Sequence, residues 1–122
     1  MYELGVVRRF SAAHRLRNYN GKCENLHGHN YTVEVVVQGD RLVDGMLVDF
    51  SLLKQLLDAL LGRLDHGYLN DIEPFTGIEP SAENIAEHLF RELGPHLPDH
   101  VSIVSVKVWE TGDNWAVYRP GT

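Results

Sequence analysis

Between Asn30 and Gln38 the chain places Tyr31, Val33, Val35 and Val37 at every second position, with Asn30, Thr32, Glu34, Val36 and Gln38 between them. β-Branched and aromatic residues at period two specify a strand with one face buried. Such a strand is unstable alone: its backbone needs pairing partners and its apolar face needs a cover. The rest of the chain predicts both. Tyr2, Leu4, Val6, Phe10 and Ala12 share one parity across a strand from Tyr2 to Ala13, with Arg8 as the departure. Val101 to Glu110 and Trp115 to Tyr118 read as a final strand pair about the turn residues Gly112-Asp113-Asn114. Leu52, Leu53, Leu56, Leu57, Leu60, Leu61 and Leu64 form the stripe of an amphipathic helix, started by Asp49 or Ser51 and weakened at Gly62. A second helix follows Pro80, with Ser81 as N-cap and Ala82, Ile85, Ala86, Leu89 and Leu93 facing inward until Gly94-Pro95 stops it. Asn18 to Lys22 has turn chemistry, and Gly39-Asp40 and Asp44-Gly45 punctuate the connection to the first helix. The predicted order is β-β-α-α-β-β, an α+β class: a four-stranded antiparallel sheet with two helices on one face, in a single domain over residues 1–122.

Composition narrows the function. The 122 residues, 43% of them apolar, suffice for one compact core. Seventeen acids against eleven bases give a net charge of −6, which argues against a generally basic nucleic-acid binder. The charge is uneven, however: Arg8, Arg9, Arg15, Arg17 and Lys22 face only Glu3 within residues 1–22. A cationic beginning on an anionic body can receive a polyanionic small molecule, or it can be a set of solvated charges. The lone Cys23 excludes an internal disulfide framework and points to a reducing compartment. The apolar stretch from Phe50 to Leu64 is interrupted by Lys54, Asp58 and Arg63 and cannot span a bilayer. Met1-Tyr2-Glu3-Leu4 has no leader pattern, so the expectation is a soluble, cytoplasmic protein without a membrane partner.

His27-Gly28-His29 precedes the second strand, and in extended chain residues two apart point to one side. His14 ends the first strand, where an antiparallel neighbour can bring it beside the pair. Three neutral imidazoles suit zinc with an open fourth position; the bland alternative is three unrelated histidines among seven. Cys23 lies four residues before His27, beside Lys22, in surroundings that favour a thiolate. It can close a metal site as a ligand or act as a base or nucleophile, and its position does not separate these roles. Asp65-His66 is either a proton-relay pair or a helix end with a dipole-stabilised histidine. Glu83 and Glu110 carry carboxylates able to accept two parallel N–H bonds from a guanidine-like edge, or they are a helix-dipole residue and a solvated strand end.

Together these pieces resemble the 6-pyruvoyl-tetrahydropterin synthase family, with its 6-carboxy-tetrahydropterin synthase branch. The resemblance rests on Phe10-Ser11-Ala12-Ala13-His14, the run from Cys23 through His27-Gly28-His29 to Tyr31, Gly45 to Phe50, Leu64-Asp65-His66, Leu69-Asn70, Glu83-Asn84 and Trp109-Glu110-Thr111, in family order. It implies the tunnelling fold, in which sheets from several subunits join into an oligomeric barrel, a trimer or hexamer with active sites between subunits. Such closure would also protect the edges of a small sheet.

The resemblance assigns His14, His27 and His29 to Zn2+, Cys23 to proton abstraction, and Asp65 and His66 to a relay from a neighbouring subunit. Glu83 would anchor the pterin edge, Glu110 would assist at the ring or in the relay, and Asn25 would line the pocket. The implied reaction converts 7,8-dihydroneopterin triphosphate to 6-carboxy-tetrahydropterin, releasing acetaldehyde and triphosphate, on the route to queuosine and other deazapurines. Ser81-Ala82 stands where many relatives carry Thr-Thr, so one substrate-binding hydroxyl is absent. Glu24 follows Cys23 at the position where a folate branch uses glutamate to make 6-hydroxymethyl-dihydropterin. That branch, the pyruvoyl-forming synthase and a non-catalytic zinc-binding module are the alternatives.

Overall fold

The computed structural model describes residues 1–17 and 25–121. Strand β1 (Tyr2–His14) pairs antiparallel along its full length with β2 (His27–Gly39). Strand β4 (Ser102–Trp109) pairs with β2 and with β5 (Trp115–Tyr118), both antiparallel. To the four strands expected the structure adds a two-residue β3 (Gly67–Tyr68), parallel to β1 at Ala12 and Ala13, giving the order β3-β1-β2-β4-β5. Two residues carry no periodicity, so nothing in the sequence announces this strand. From Ser11 back to Tyr2, the outer edge of β1 has no strand partner among the described residues, and neither has that of β5.

Tyr31, Val33, Val35 and Val37 are wholly buried, as their alternation requires, with Val6, Phe10 and Ala12 of β1 and Val106 and Val108 of β4 on the same side. Phe10 and Tyr31, directly opposite in the ladder, stack with centroids 4.7 Å apart. Arg8 breaks the parity of β1 because it reaches a helix: its guanidinium forks onto Asp58 through bonds of 2.8 and 2.6 Å. A shift of register between Val36 and Val37 bulges β2 against β4.

Helices α1 (Phe50–Leu61) and α2 (Ala82–Leu93) cover the apolar face. Asp49, not Ser51, is the N-cap of α1 and accepts the Ser51 N–H at 2.8 Å. Leu53, Leu57, Leu61 and Leu64 are buried, Leu56 and Leu60 pack at the margin, and Leu52 is exposed. Ser81 caps α2, and all five residues of its expected stripe are buried. Strand β2 begins at His27 rather than Asn30, which places all three candidate ligands within the paired ladder. No helix among the described residues is long and apolar enough to cross a membrane.

Candidate functional site

The ladder builds the first part of the site. His14 lies directly opposite His27, and Ala12 opposite His29, so the three imidazoles meet at one end of the buried face. Their ring centroids are 4.7, 5.1 and 4.7 Å apart, each pair edge to face. One nitrogen of each lies within 4.8 Å of the others. His14 is 1% exposed in its side chain.

Outer contacts set the tautomers of two of these rings. His14 Nδ1 is 2.8 Å from the Pro80 carbonyl and His27 Nδ1 is 2.8 Å from the Asn25 carbonyl. A carbonyl only accepts, so each Nδ1 carries the hydrogen and each neutral ring presents a lone pair at Nε2. Those two Nε2 atoms face each other at 3.2 Å. Two acceptors at that distance repel unless a cation lies between them, and N–H···O=C support behind an imidazole is the usual outer shell of a metal ligand. The donor set therefore fits a divalent cation of zinc type. The Tyr31 hydroxyl, 3.1 Å from His14 Nδ1, adds a second contact behind that ring.

Glu110 approaches the same cluster, with carboxylate oxygens 3.5 Å from His29 Nε2 and 3.9 Å from His14 Nε2. It shares a groove of about 230 Å³ with Glu83, Ala82, Asn114, Trp115 and Ala116. Glu83 stands exposed in the first turn of α2. Two carboxylates on one groove, one beside a cation site, suit a guest rich in N–H donors.

Asp65 and His66 are held elsewhere. Asp65 accepts the Ser11 N–H at 2.9 Å, the His66 N–H donates to the Ser11 carbonyl at 2.5 Å, and the two side chains meet at 3.0 Å between His66 Nδ1 and Asp65 Oδ2. The Ser11 N–H, followed by the His66 imidazole, holds the Asp65 carboxyl below the ordinary carboxylate range. His66 adopts φ 59°, a left-handed conformation that costs a non-glycine residue about 1 kcal/mol and turns the chain into β3. The chain packs closely at Gly67, where a Cβ would lie 2.9 Å from Ile72 Cδ1 and 3.3 Å from the Leu64 carbonyl oxygen, so a side chain there would displace the end of Ile72. His66 and His29 border one groove of about 370 Å³ with Ser11, Ala13, Gly28 and Asn30. His66 itself is 82% exposed.

The remaining expected residues divide. The carbonyl of Asn25 orients His27, and the Ser81 hydroxyl accepts the Asn84 N–H at 3.2 Å as a helix cap. Cys23 and Glu24 lie outside the described residues, as do Lys22 and the turn from Asn18. Of the basic residues near the start, Arg8 is engaged by Asp58, and Arg17 donates to the Phe75 and Ile78 carbonyls. Arg9 and Arg15 are exposed. Sequence reasoning missed three supporting groups: the Pro80 carbonyl, the Ser11 main chain and Asn70. The amide of Asn70 pairs with both the Arg15 N–H and C=O, at 3.0 and 2.9 Å, and so fixes the chain immediately after His14. Main-chain roles leave no residue-type signal; Asn70 did stand in a motif, but without a stated task.

The chain is similar to known proteins over nearly its whole length. The family profile described as 6-pyruvoyl tetrahydropterin synthase matches residues 3–121. The 6-carboxy-5,6,7,8-tetrahydropterin synthase of Bacillus subtilis is 38% identical over an alignment covering 98% of this chain and 86% of its own length. The 6-pyruvoyl tetrahydrobiopterin synthase of Dictyostelium discoideum is 37% identical, with 90% of each chain covered. A solved structure of Caenorhabditis elegans 6-pyruvoyl tetrahydropterin synthase superposes with a TM-score of 0.84 at 28% identity, covering 98% of this chain and 96% of that one. Fold and site thus define a tunnelling-fold enzyme of the lyase-type tetrahydropterin synthases. The chain belongs to the 6-pyruvoyl tetrahydropterin synthase family.

Proposed function

We propose that this enzyme is zinc-dependent and converts 7,8-dihydroneopterin triphosphate, with water, to 6-carboxy-5,6,7,8-tetrahydropterin, acetaldehyde and triphosphate, a step toward queuosine-type deazapurines. The observation that carries the reading is the pair of Nε2 lone pairs of His14 and His27, 3.2 Å apart, with His29 completing the set. The likeness to the Bacillus subtilis 6-carboxy-tetrahydropterin synthase favours this branch.

His14, His27 and His29 would hold Zn2+, which when bound supplies Lewis-acid polarisation of the substrate's side-chain hydroxyls. Glu83 and Glu110 accept N–H bonds from the amino-oxo edge of the pterin and set its orientation. Cys23 removes the carbon-bound proton as a thiolate, Asn25 lines the pocket, and Ser81 and Glu24 complete the substrate-contacting set. Asp65 keeps the proton of His66 on Nδ1, so Nε2 is the atom that gives or takes a proton.

Asp65 and His66 sit on the β1 edge of the sheet, and Glu110 follows β4 toward the β5 edge. Head-to-tail pairing of a β1 edge with a β5 edge would close a barrel and bring one copy's Asp65-His66 to another copy's metal cluster. The working form is accordingly a homo-oligomer, a trimer or hexamer.

The test is incubation of the zinc-loaded protein with dihydroneopterin triphosphate, followed by product mass and an acetaldehyde assay. Acetaldehyde with a carboxy-pterin is the expected result. A hydroxymethyl-dihydropterin or a pyruvoyl product would replace the branch assigned here, and metal binding without turnover would reduce the protein to a binding module. Cys23→Ala should retain zinc and lose most turnover; loss of zinc instead would make Cys23 a ligand and overturn its role as base.

A further inference from the structure

Both tryptophans of the chain, Trp109 and Trp115, lie directly opposite each other across the β4–β5 hairpin. The Lys107 ammonium is 3.9 Å from the centre of the Trp115 ring and 4.5 Å from that of Trp109. A cation over an indole face is attracted by the ring quadrupole, so one lysine braces both rings. Trp115 belongs to the edge strand and is 55% exposed, a large fraction for the most apolar surface a side chain can offer. It stands at the rim, bordering the sheet-face groove that holds Lys107, Glu34 and Arg119 and also the groove that holds Glu83 and Glu110.

We propose that Trp115 is a specificity-determining residue of this enzyme: it is the aromatic wall of the Glu83–Glu110 groove and packs against the bicyclic ring of the guest, while Lys107 pins the indole from the other groove. The inference rests on the pterin-binding reading above and adds a residue to it. Two carboxylates select the donor edge of a ring but do little for its faces, which are flat and need apolar contact. An exposed indole free to rotate would lose rotamer freedom when a ring bound; the ammonium at 3.9 Å restrains it beforehand. The hairpin that carries Trp115 is closed by the Glu110 N–H donating to the Asn114 carbonyl at 3.0 Å, which ties the backbone of the wall to the backbone that carries the Glu110 carboxylate.

The test measures binding of two probes to the zinc-loaded protein by equilibrium dialysis: pterin itself, the bare bicycle, and inorganic triphosphate. In Trp115→Ala the pterin Kd should rise about 10-fold, the scale of one lost aromatic contact, with triphosphate and zinc affinities unmoved. Trp115→Phe should stay within about threefold of the parent because a flat ring remains. Lys107→Met should weaken pterin by a few-fold, and Lys107→Arg should restore it. A general loss of structure would instead shift both probes, the metal and the melting temperature together, and would overturn the proposal. An unchanged pterin Kd in Trp115→Ala, or a change of sedimenting species in its place, would also overturn it and make Trp115 an interface residue. If the parent protein binds no pterin, the underlying functional reading fails as well; if the parent binds and Trp115→Ala binds equally, only the present inference fails.

Discussion

His14 and His27 hold their Nε2 atoms 3.2 Å apart while each ring's Nδ1 faces a carbonyl, that of Pro80 and that of Asn25. Two lone pairs in that relation repel each other, and a cation between them turns the repulsion into attraction, so the folded chain favours metal at this pair.

Metal binding should therefore be stoichiometric and stabilising. Calorimetric titration of the metal-free protein should give one Zn2+ per chain, and chelation should lower the melting temperature. Removing one ligand in His14→Ala or His29→Ala should weaken binding by at least about 100-fold, beyond the effect of outer-shell changes. Unchanged affinity in both variants would remove the basis of the metal assignment.

Tyr31→Phe isolates the outer shell. It deletes the hydroxyl 3.1 Å from His14 Nδ1 and keeps the ring stacked on Phe10 at 4.7 Å. Competition against a chromophoric chelator should show zinc affinity falling about 10-fold, with folding stability lowered by about 1 kcal/mol in denaturant titration. A fall in stability with no change in zinc affinity would confine the hydroxyl to a packing role.

The Asp65 carboxyl lies below its ordinary value of 3.8, chiefly through the Ser11 N–H and then through His66. A depressed acid stabilises the fold above its unfolded pKa, and that contribution disappears as the pH falls through the lower folded value. Asp65→Asn should lower stability at neutral pH and flatten the acid limb of a stability–pH curve. An acid limb as steep as the parent's would show that another carboxylate carries it.

His88 is a second titrating element with the same sign for a different reason. Burial on α2, against the Phe75 ring at 5.5 Å, pushes its pKa below the ordinary 6.5; Arg63 acts in the same direction and Glu92 opposes it. The neutral ring is thus favoured in the folded state. Its stabilisation is present above about pH 6.5 and is lost as the pH falls through the folded value. Urea titrations of parent and His88→Gln at about pH 7.5 and 5.5 should show the smaller pH-dependent loss in the variant. Equal losses would assign the acid sensitivity to other groups.

Much of the fold was legible locally. The alternation through Val33 and Val35 fixes which side of β2 is dry, and the spacing from Ala82 to Leu93 defines the inner face of α2 together with its Ser81 cap. Each of these depends on residues within one or two turns or pleats of each other. Arg8 illustrates the limit: it reads as an error in an alternating pattern until Asp58, fifty positions away, is placed beside it. The site shows the same division. The His27-Gly28-His29 spacing announces two donors on one side of a strand, but the pairing of His14 with His27 depends on the β1–β2 register.

By itself the sequence determined periodicity, and with it strand, helix, buried face and the types of group available for chemistry, because those follow from backbone geometry repeated every two or 3.6 residues. Only the tertiary structure decided which groups meet. The approach of Glu110 to His14 and His29, the docking of Asp65 on the Ser11 main chain and the two-residue β3 all join distant segments. Such contacts have no local signature; they exist because the packed sheet and helices bring together chain segments that no neighbouring residues hold in place.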